Sequence, residues 1–203
     1  MELSGERVIP GQVDPDLWNE HVARYAFAGR VARLLLAERP RSAHPEPVRV
    51  LDAGCGSGYG AAYLAAVDAR LDVTGVELSE EALAYARQHY SAPNLRFQRE
   101  DCLALPFAAG GFDLVVAFEL IEHLAQPEAF LEQAARLLAP CGRLLLSTPN
   151  RPYYTEEREF RNPFHAREYD AAELAALLRP VFPEHALYFQ NHVPAISFFP
   201  AAQ

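Results

Sequence analysis

No apolar run in this 203-residue chain approaches the length needed to cross a bilayer. The first residues, Met1 to Arg7, lack the basic and apolar regions of a secretion signal. Cysteine is scarce: Cys55, Cys102 and Cys141 are odd in number, and each falls at an expected loop or strand edge. That composition offers no disulfide framework and favours a reducing, cytoplasmic setting. Positive charge is in deficit, with 18 Lys and Arg against 27 Asp and Glu and a net charge of −9. The balance opposes non-specific binding to nucleic-acid phosphates, and no long Lys/Arg run offsets it. Internal repeats are also lacking. The chain does have ordinary globular composition and enough length for one domain with a substantial core.

The most informative stretch is 48–60. Val48-Arg49-Val50-Leu51 reads as a strand that ends in an acid, Asp52, and glycines follow at 54, 56, 58 and 60 before an alanine-rich helical stretch. Glycine tolerates φ > 0 and has no Cβ, so a ligand can lie against such a loop. The N–H groups opening the next helix favour a negative group, while Asp52 can meet a cation. A ligand carrying both a carboxylate and an ammonium suits that pairing. Read from Gly56, the stretch also fits the pyrophosphate fingerprint of nicotinamide-binding folds (Gly56, Gly58, Ala61), so it does not choose the cofactor alone. Residues 71–78 read as a second strand with Glu77 at its end, suited to ribose hydroxyls. A third, 95–102, places Asp101 at its end, and a fourth, 112–118, is followed by Glu119. Four acids thus fall at one edge of one sheet, where open α/β sheets bind ligands.

Asp52-Ala-Gly-Cys-Gly-Ser-Gly, Glu77-Leu-Ser, Asp101-Cys-Leu-Ala-Leu-Pro-Phe, Gly111-Phe-Asp-Leu-Val-Val and Leu138-Ala-Pro-Cys-Gly-Arg-Leu-Leu-Leu-Ser follow one another in the chain. Together they resemble the ordered motif series of class I S-adenosylmethionine-dependent methyltransferases, over roughly 48–150. Cys141 departs from the pattern, which usually has glycine there; the departure is expected to loosen a turn. The resemblance implies a doubly wound, Rossmann-like α/β fold: a seven-stranded, mostly parallel sheet with helices on both faces and an antiparallel closing strand. It implies that Gly54, Gly56, Gly58 and Asp52 surround the methionine part of S-adenosylmethionine. Glu77 and Leu78 would lie at the ribose end, Asp101 and Cys102 at the adenine, and Phe118 near the cofactor.

A second constellation is Phe118-Glu119-Leu120-Ile121-Glu122-His123. On a first helical turn after strand four, Glu119, Glu122 and His123 would share one face. Two carboxylates and an imidazole suit a magnesium or manganese ion, with His165 as candidate fourth ligand. A similar Glu-x-x-Glu-His run occurs in ubiquinone-pathway O-methyltransferases and small-RNA 2′-O-methyltransferases, where it is tied to metal-assisted methylation of a hydroxyl. It also occurs in methyltransferases without a demonstrated metal; there Glu119 would border the cofactor, Glu122 would be structural, and His123 would act as base or shape the pocket. Glu122 and His123 are the catalytic candidates.

Around this core, 1–47 reads as a polar arm, a helix beginning at Asp14-Pro15, and a proline-rich linker. Tyr25 on that helix could cover the cofactor and Arg24 could pair with its carboxylate. His21 reads as surface or packing. Residues 48–203 form the core, with an acceptor loop at 149–168 whose aromatics, Tyr153, Tyr154, Phe160 and Phe164, resemble a lid. The expected function is methyl transfer to a small-molecule hydroxyl, with no membrane span. Its rivals are an RNA 2′-O-methyltransferase, a nicotinamide-dependent oxidoreductase and a non-catalytic cofactor-binding module.

Overall fold

A computed structural model describes residues 8–39, 46–157, 159, 162–192 and 196–200. Helix α1 (Pro15–Glu38) starts as its sequence predicts, with the Asp14 side chain accepting from Asp16 N and Pro15 at the first turn. Strand β1 (Val48–Ala53) follows, then α2 (Tyr59–Val67), β2 (Leu71–Glu77) and α3 (Glu80–His89), which Ser79 caps. Next come β3 (Leu95–Arg99), β4 (Phe112–Phe118), α4 (Pro127–Leu137) and β5 (Leu138–Ser147). A capping box of Asp170 and Glu173 opens α5 (Ala171–Leu178), and β6 (Tyr188–His192) and β7 (Ile196–Pro200) close the order.

The main sheet has five strands in the order β3-β2-β1-β4-β5, all paired in parallel. Its strand order turns between β1 and β4, the switch point at which such sheets bind ligands. Buried residues alternate along β1 and β4. Val48, Val50, Leu114 and Val116 join α1 and α2 in one core, while Leu51, Ala53, Val115 and Ala117 join α4 and α5 in the other. Both faces are therefore covered, which is why these strands are nearly continuous apolar runs.

The expected seven-stranded sheet is corrected here. Strands β6 and β7 pair antiparallel with each other as a separate two-stranded sheet. The hairpin is tied to α1, because Gln190 accepts from Arg24 Nε at 2.8 Å and donates to the Glu20 carbonyl at 3.0 Å. Cys141 adopts φ 68°, the left-handed conformation that glycine takes at less cost. Within the arm, Val8 and Ile9 are buried and the Val8 carbonyl accepts from Ser57 Oγ at 2.6 Å. Residues 1–7, most of the linker and Phe160 of the expected lid lie outside the described residues.

Candidate active site

The cofactor edge is set by strand register. Asp52 pairs with Gly75 and Ala53 with Val76, so the loops after β1 and β2 leave the sheet side by side. Gly54 N and Cys55 N both donate to the Val76 carbonyl at 2.9 Å, which fixes the start of the glycine loop. Glu77 then spans the gap: Oε2 accepts from Gly56 N at 3.1 Å and Oε1 from Ser79 N at 3.0 Å. Gly58 has φ 85°, and a Cβ there would lie 2.6 Å from the Ala86 side chain, so the loop packs onto α3 only as glycine. Leu78 is exposed, Cys102 is buried, and Asp101 is exposed with Oδ1 accepting from Leu103 N. Burial drives the Cys102 thiol up to about 12, with the Glu77 charge adding to the shift.

Asp52 is fully buried and meets Tyr25, whose hydroxyl lies 3.1 and 3.3 Å from its two carboxylate oxygens. The Tyr25 ring rests on Gly60 so closely that a Cβ there would be 1.9 Å from Cζ. Phe118 meets the same ring edge-on at 5.1 Å. Burial pushes the Asp52 carboxyl up to about 7; the Tyr25 hydrogen bond opposes this and the Glu77 charge adds to it. An aromatic cavity of about 330 Å³ is lined by Tyr25 together with Trp18, Tyr59, Tyr63 and Tyr90.

Beyond β4 the chain does not enter an α-helical turn. Glu119 takes φ 52°, and only Ile121–His123 form a 3-10 turn. The expected shared face is thereby broken, and Glu119 parts from the other two. Its Oε1 accepts from Ser147 Oγ at 2.6 Å and lies 3.7 Å from Arg24 Nη1. Burial alone would raise the Glu119 carboxyl, but Arg24 and the Ser147 hydroxyl hold it below its usual range. Glu122 is also buried. Its Oε2 accepts from Thr148 Oγ1 at 2.8 Å, while Oε1 has no hydrogen-bond partner among the described residues. Burial, then the Glu119 charge, pushes Glu122 well above its usual range.

The acceptor loop supplies the other wall. Ala166 N and Arg167 N donate to the Glu122 carbonyl at 2.8 and 3.1 Å, docking the 162–167 turn on the 3-10 turn. This brings Glu122, His123 and His165 together, with one ligand atom of each within 4.8 Å of the others. Of the four expected metal ligands, Glu119 is outside that group. His123 Nδ1 lies 3.0 Å from the Phe164 carbonyl, which can only accept, so Nδ1 carries the proton and Nε2 the lone pair.

A family described as "Methyltransferase domain" matches residues 51–146. A protein of Mycolicibacterium smegmatis named "Probable S-adenosylmethionine-dependent methyltransferase" is 38% identical over 181 residues, 88% of this chain and 63% of that protein. Over most of its length the chain is similar to S-adenosylmethionine-dependent methyltransferases. It spans less than two thirds of that relative's length. A ubiquinone biosynthesis O-methyltransferase of Aromatoleum aromaticum is 39% identical over 108 residues, 52% of this chain and 45% of that protein. The crystal structure of the YcgJ protein from Bacillus subtilis shares the fold, with a TM-score of 0.65 at 22% identity over 85% of this chain and 71% of that one.

This likeness favours S-adenosylmethionine as the cofactor over the nicotinamide reading. The residues fit that ligand. A buried carboxylate stands at a glycine loop that a Cβ would obstruct, and a second carboxylate stands at the next strand end. His21, expected at the surface or in packing, is half-buried with Nδ1 2.8 Å from the Tyr59 hydroxyl, and burial followed by the Arg24 charge lowers its pKa to about 4. Glu168, whose carboxylate meets His165, carried no motif signal.

Proposed function

We propose that the chain transfers a methyl group from S-adenosylmethionine to the hydroxyl of a small-molecule acceptor, with His123 as the proton acceptor. The cluster of Glu122, His123 and His165 beside the acid-lined sheet edge carries this reading. Bound at the glycine loop, S-adenosylmethionine supplies an electrophilic methyl. Asp52 and Tyr25 face its methionine end, with Arg24 the candidate partner for its carboxylate because Nη1 is buried without a hydrogen-bond partner among the described residues. Glu77 holds the ribose with Leu78 beside it, Asp101 and Cys102 border the adenine, and Phe118 supports Tyr25. Alignment of the reacting atoms is the protein's main contribution, since a well-oriented pair avoids several kcal/mol of the barrier, on the order of 7–11 at best.

A hydroxyl also needs somewhere to leave its proton. In the neutral ring, whose Nδ1 donates to the Phe164 carbonyl, His123 Nε2 can take it, an effect worth roughly 10²–10⁴-fold. The Glu122, His123 and His165 set also fits a divalent cation such as magnesium, because the unpartnered, buried Glu122 Oε1 lacks a neutralising group. A cation bound there would acidify the acceptor hydroxyl. The partial likeness to ubiquinone O-methyltransferases supports an oxygen acceptor, and the net charge of −9 favours a small molecule over RNA. The deciding experiment is a screen of cell extract with isotopically labelled cofactor, with and without chelator. Label in a small molecule through an ether bond is the expected result. Label in RNA, on nitrogen or carbon, or nowhere, overturns the proposal, and insensitivity to chelator removes the cation.

A further inference from the structure

We infer that Glu168 is a positioning residue that fixes His165 as its Nδ1–H tautomer, so that the ring, with Nε2 accepting from Asn162, is held in one orientation beside Glu122 and His123. The inference rests on the reading of that cluster as the reaction site, and it adds a residue outside the motifs.

Two contacts on opposite sides of the ring agree. His165 Nδ1 lies 2.8 Å from Glu168 Oε1, and a carboxylate in that position accepts, so Nδ1 holds the hydrogen. On the other side, Nε2 lies 3.1 Å from Asn162 Nδ2. The orientation of that amide is set independently, because Asn162 Oδ1 already accepts from Phe164 N at 3.0 Å. Its NH₂ therefore faces the imidazole and donates, which requires a lone pair on Nε2. One tautomer satisfies both neighbours.

The ring has little freedom to escape this arrangement. The side chains of His165 and Glu168 are only 4% and 6% exposed. Tyr154 stacks against His165 with centroids 5.7 Å apart and planes 27° apart, and His123 meets it edge-on at 5.0 Å. Glu168 is itself held, since its Oε2 accepts from Thr155 Oγ1 in the π-helical turn Pro152–Glu156. The irregular loop thus works as a bracket: Thr155 fixes Glu168, Glu168 fixes His165, and the Phe164 carbonyl does the same for His123. In their neutral forms both imidazoles then carry the hydrogen on Nδ1, and the His165 lone pair faces the Asn162 amide.

The test reads the tautomer directly, from two-bond ¹H–¹⁵N correlations of protein labelled in histidine. Native protein is expected to show His165 as Nδ1–H. Glu168→Gln, whose amide oxygen still accepts, should keep that pattern. Glu168→Met, of similar length but without an acceptor, should lose it while the other amide resonances stay dispersed. Manganese binding to the native protein, read by electron paramagnetic resonance, tests the cation reading of the cluster separately. An Nε2–H pattern in the native protein, which needs no variant, overturns the inference, as does an unchanged pattern in Glu168→Met. If native protein binds no manganese, the cation reading of the site fails, and the tautomer result alone still decides the role of Glu168.

Discussion

Asp52 and Glu77 sit at the ends of adjacent parallel strands, whereas His123 and His165 lie 42 positions apart and are joined by an irregular turn. On the cofactor side, partners come from the sheet and its own loops: Val76 O receives Gly54 N and Cys55 N, and Glu77 receives Gly56 N and Ser79 N. On the acceptor side, the links run from Phe164, Ala166 and Arg167 back to the 3-10 turn, and from Thr155 to Glu168. The first region is held by repetitive β geometry and is suited to a constant ligand. The second is held by side-chain and turn contacts, which can be rebuilt for a different acceptor without disturbing the sheet.

If the two regions are separable, His123→Ala should lower turnover by about 10²–10⁴-fold while leaving S-adenosylhomocysteine affinity intact by calorimetry. A comparable loss of cofactor affinity would break the division. In the opposite direction, Glu77→Ala should weaken S-adenosylhomocysteine by roughly 1–3 kcal/mol, with the tautomers of His123 and His165 unchanged by NMR. Gly60→Ala sharpens the comparison at the one place where α1 reaches across. Its Cβ would displace the Tyr25 ring, which should cost about 1–3 kcal/mol in a denaturant titration and weaken cofactor binding with it. A variant as stable as the native chain would mean that Tyr25 is not clamped.

The smallest expected effect concerns pH. The Asp52 carboxyl is raised to about 7, and a ligand ammonium favours its ionised form. S-adenosylhomocysteine affinity should therefore rise with pH by at most about tenfold per unit and level off above 7; Asp52→Asn should flatten the curve. Stability takes the opposite sign. Between about 4 and 7 the folded chain keeps a proton that the unfolded chain has released, so this group makes the fold less stable as pH rises through that window. A flat affinity profile in the native protein would count against Asp52 as the ammonium partner.

The Asp14 cap, the alternating strands and helices, the glycine loop and the acids at strand ends were all legible because each depends on neighbours within a few residues or on sheet periodicity. Glu119 shows where that reading stops. Its spacing from Glu122 and His123 suggested one helical face, yet φ 52° turns it toward Ser147 and Arg24. His21 gave no signal, since its burial depends on Tyr59, 38 positions away. The closing strands were anticipated as extended runs, but their place was not: Gln190 ties the hairpin to α1 through contacts 166 and 170 positions apart.

Sequence by itself determined the motif series, the parallel α/β layering and the carboxylates along one rim, because apolar patterning and glycine placement act locally and repeat. Tertiary structure alone decided which side chains meet His123 and His165, and which imidazole nitrogen bears the hydrogen. Those outcomes depend on the direction of individual donors and acceptors that are distant in the chain, and spacing along a sequence carries no record of direction.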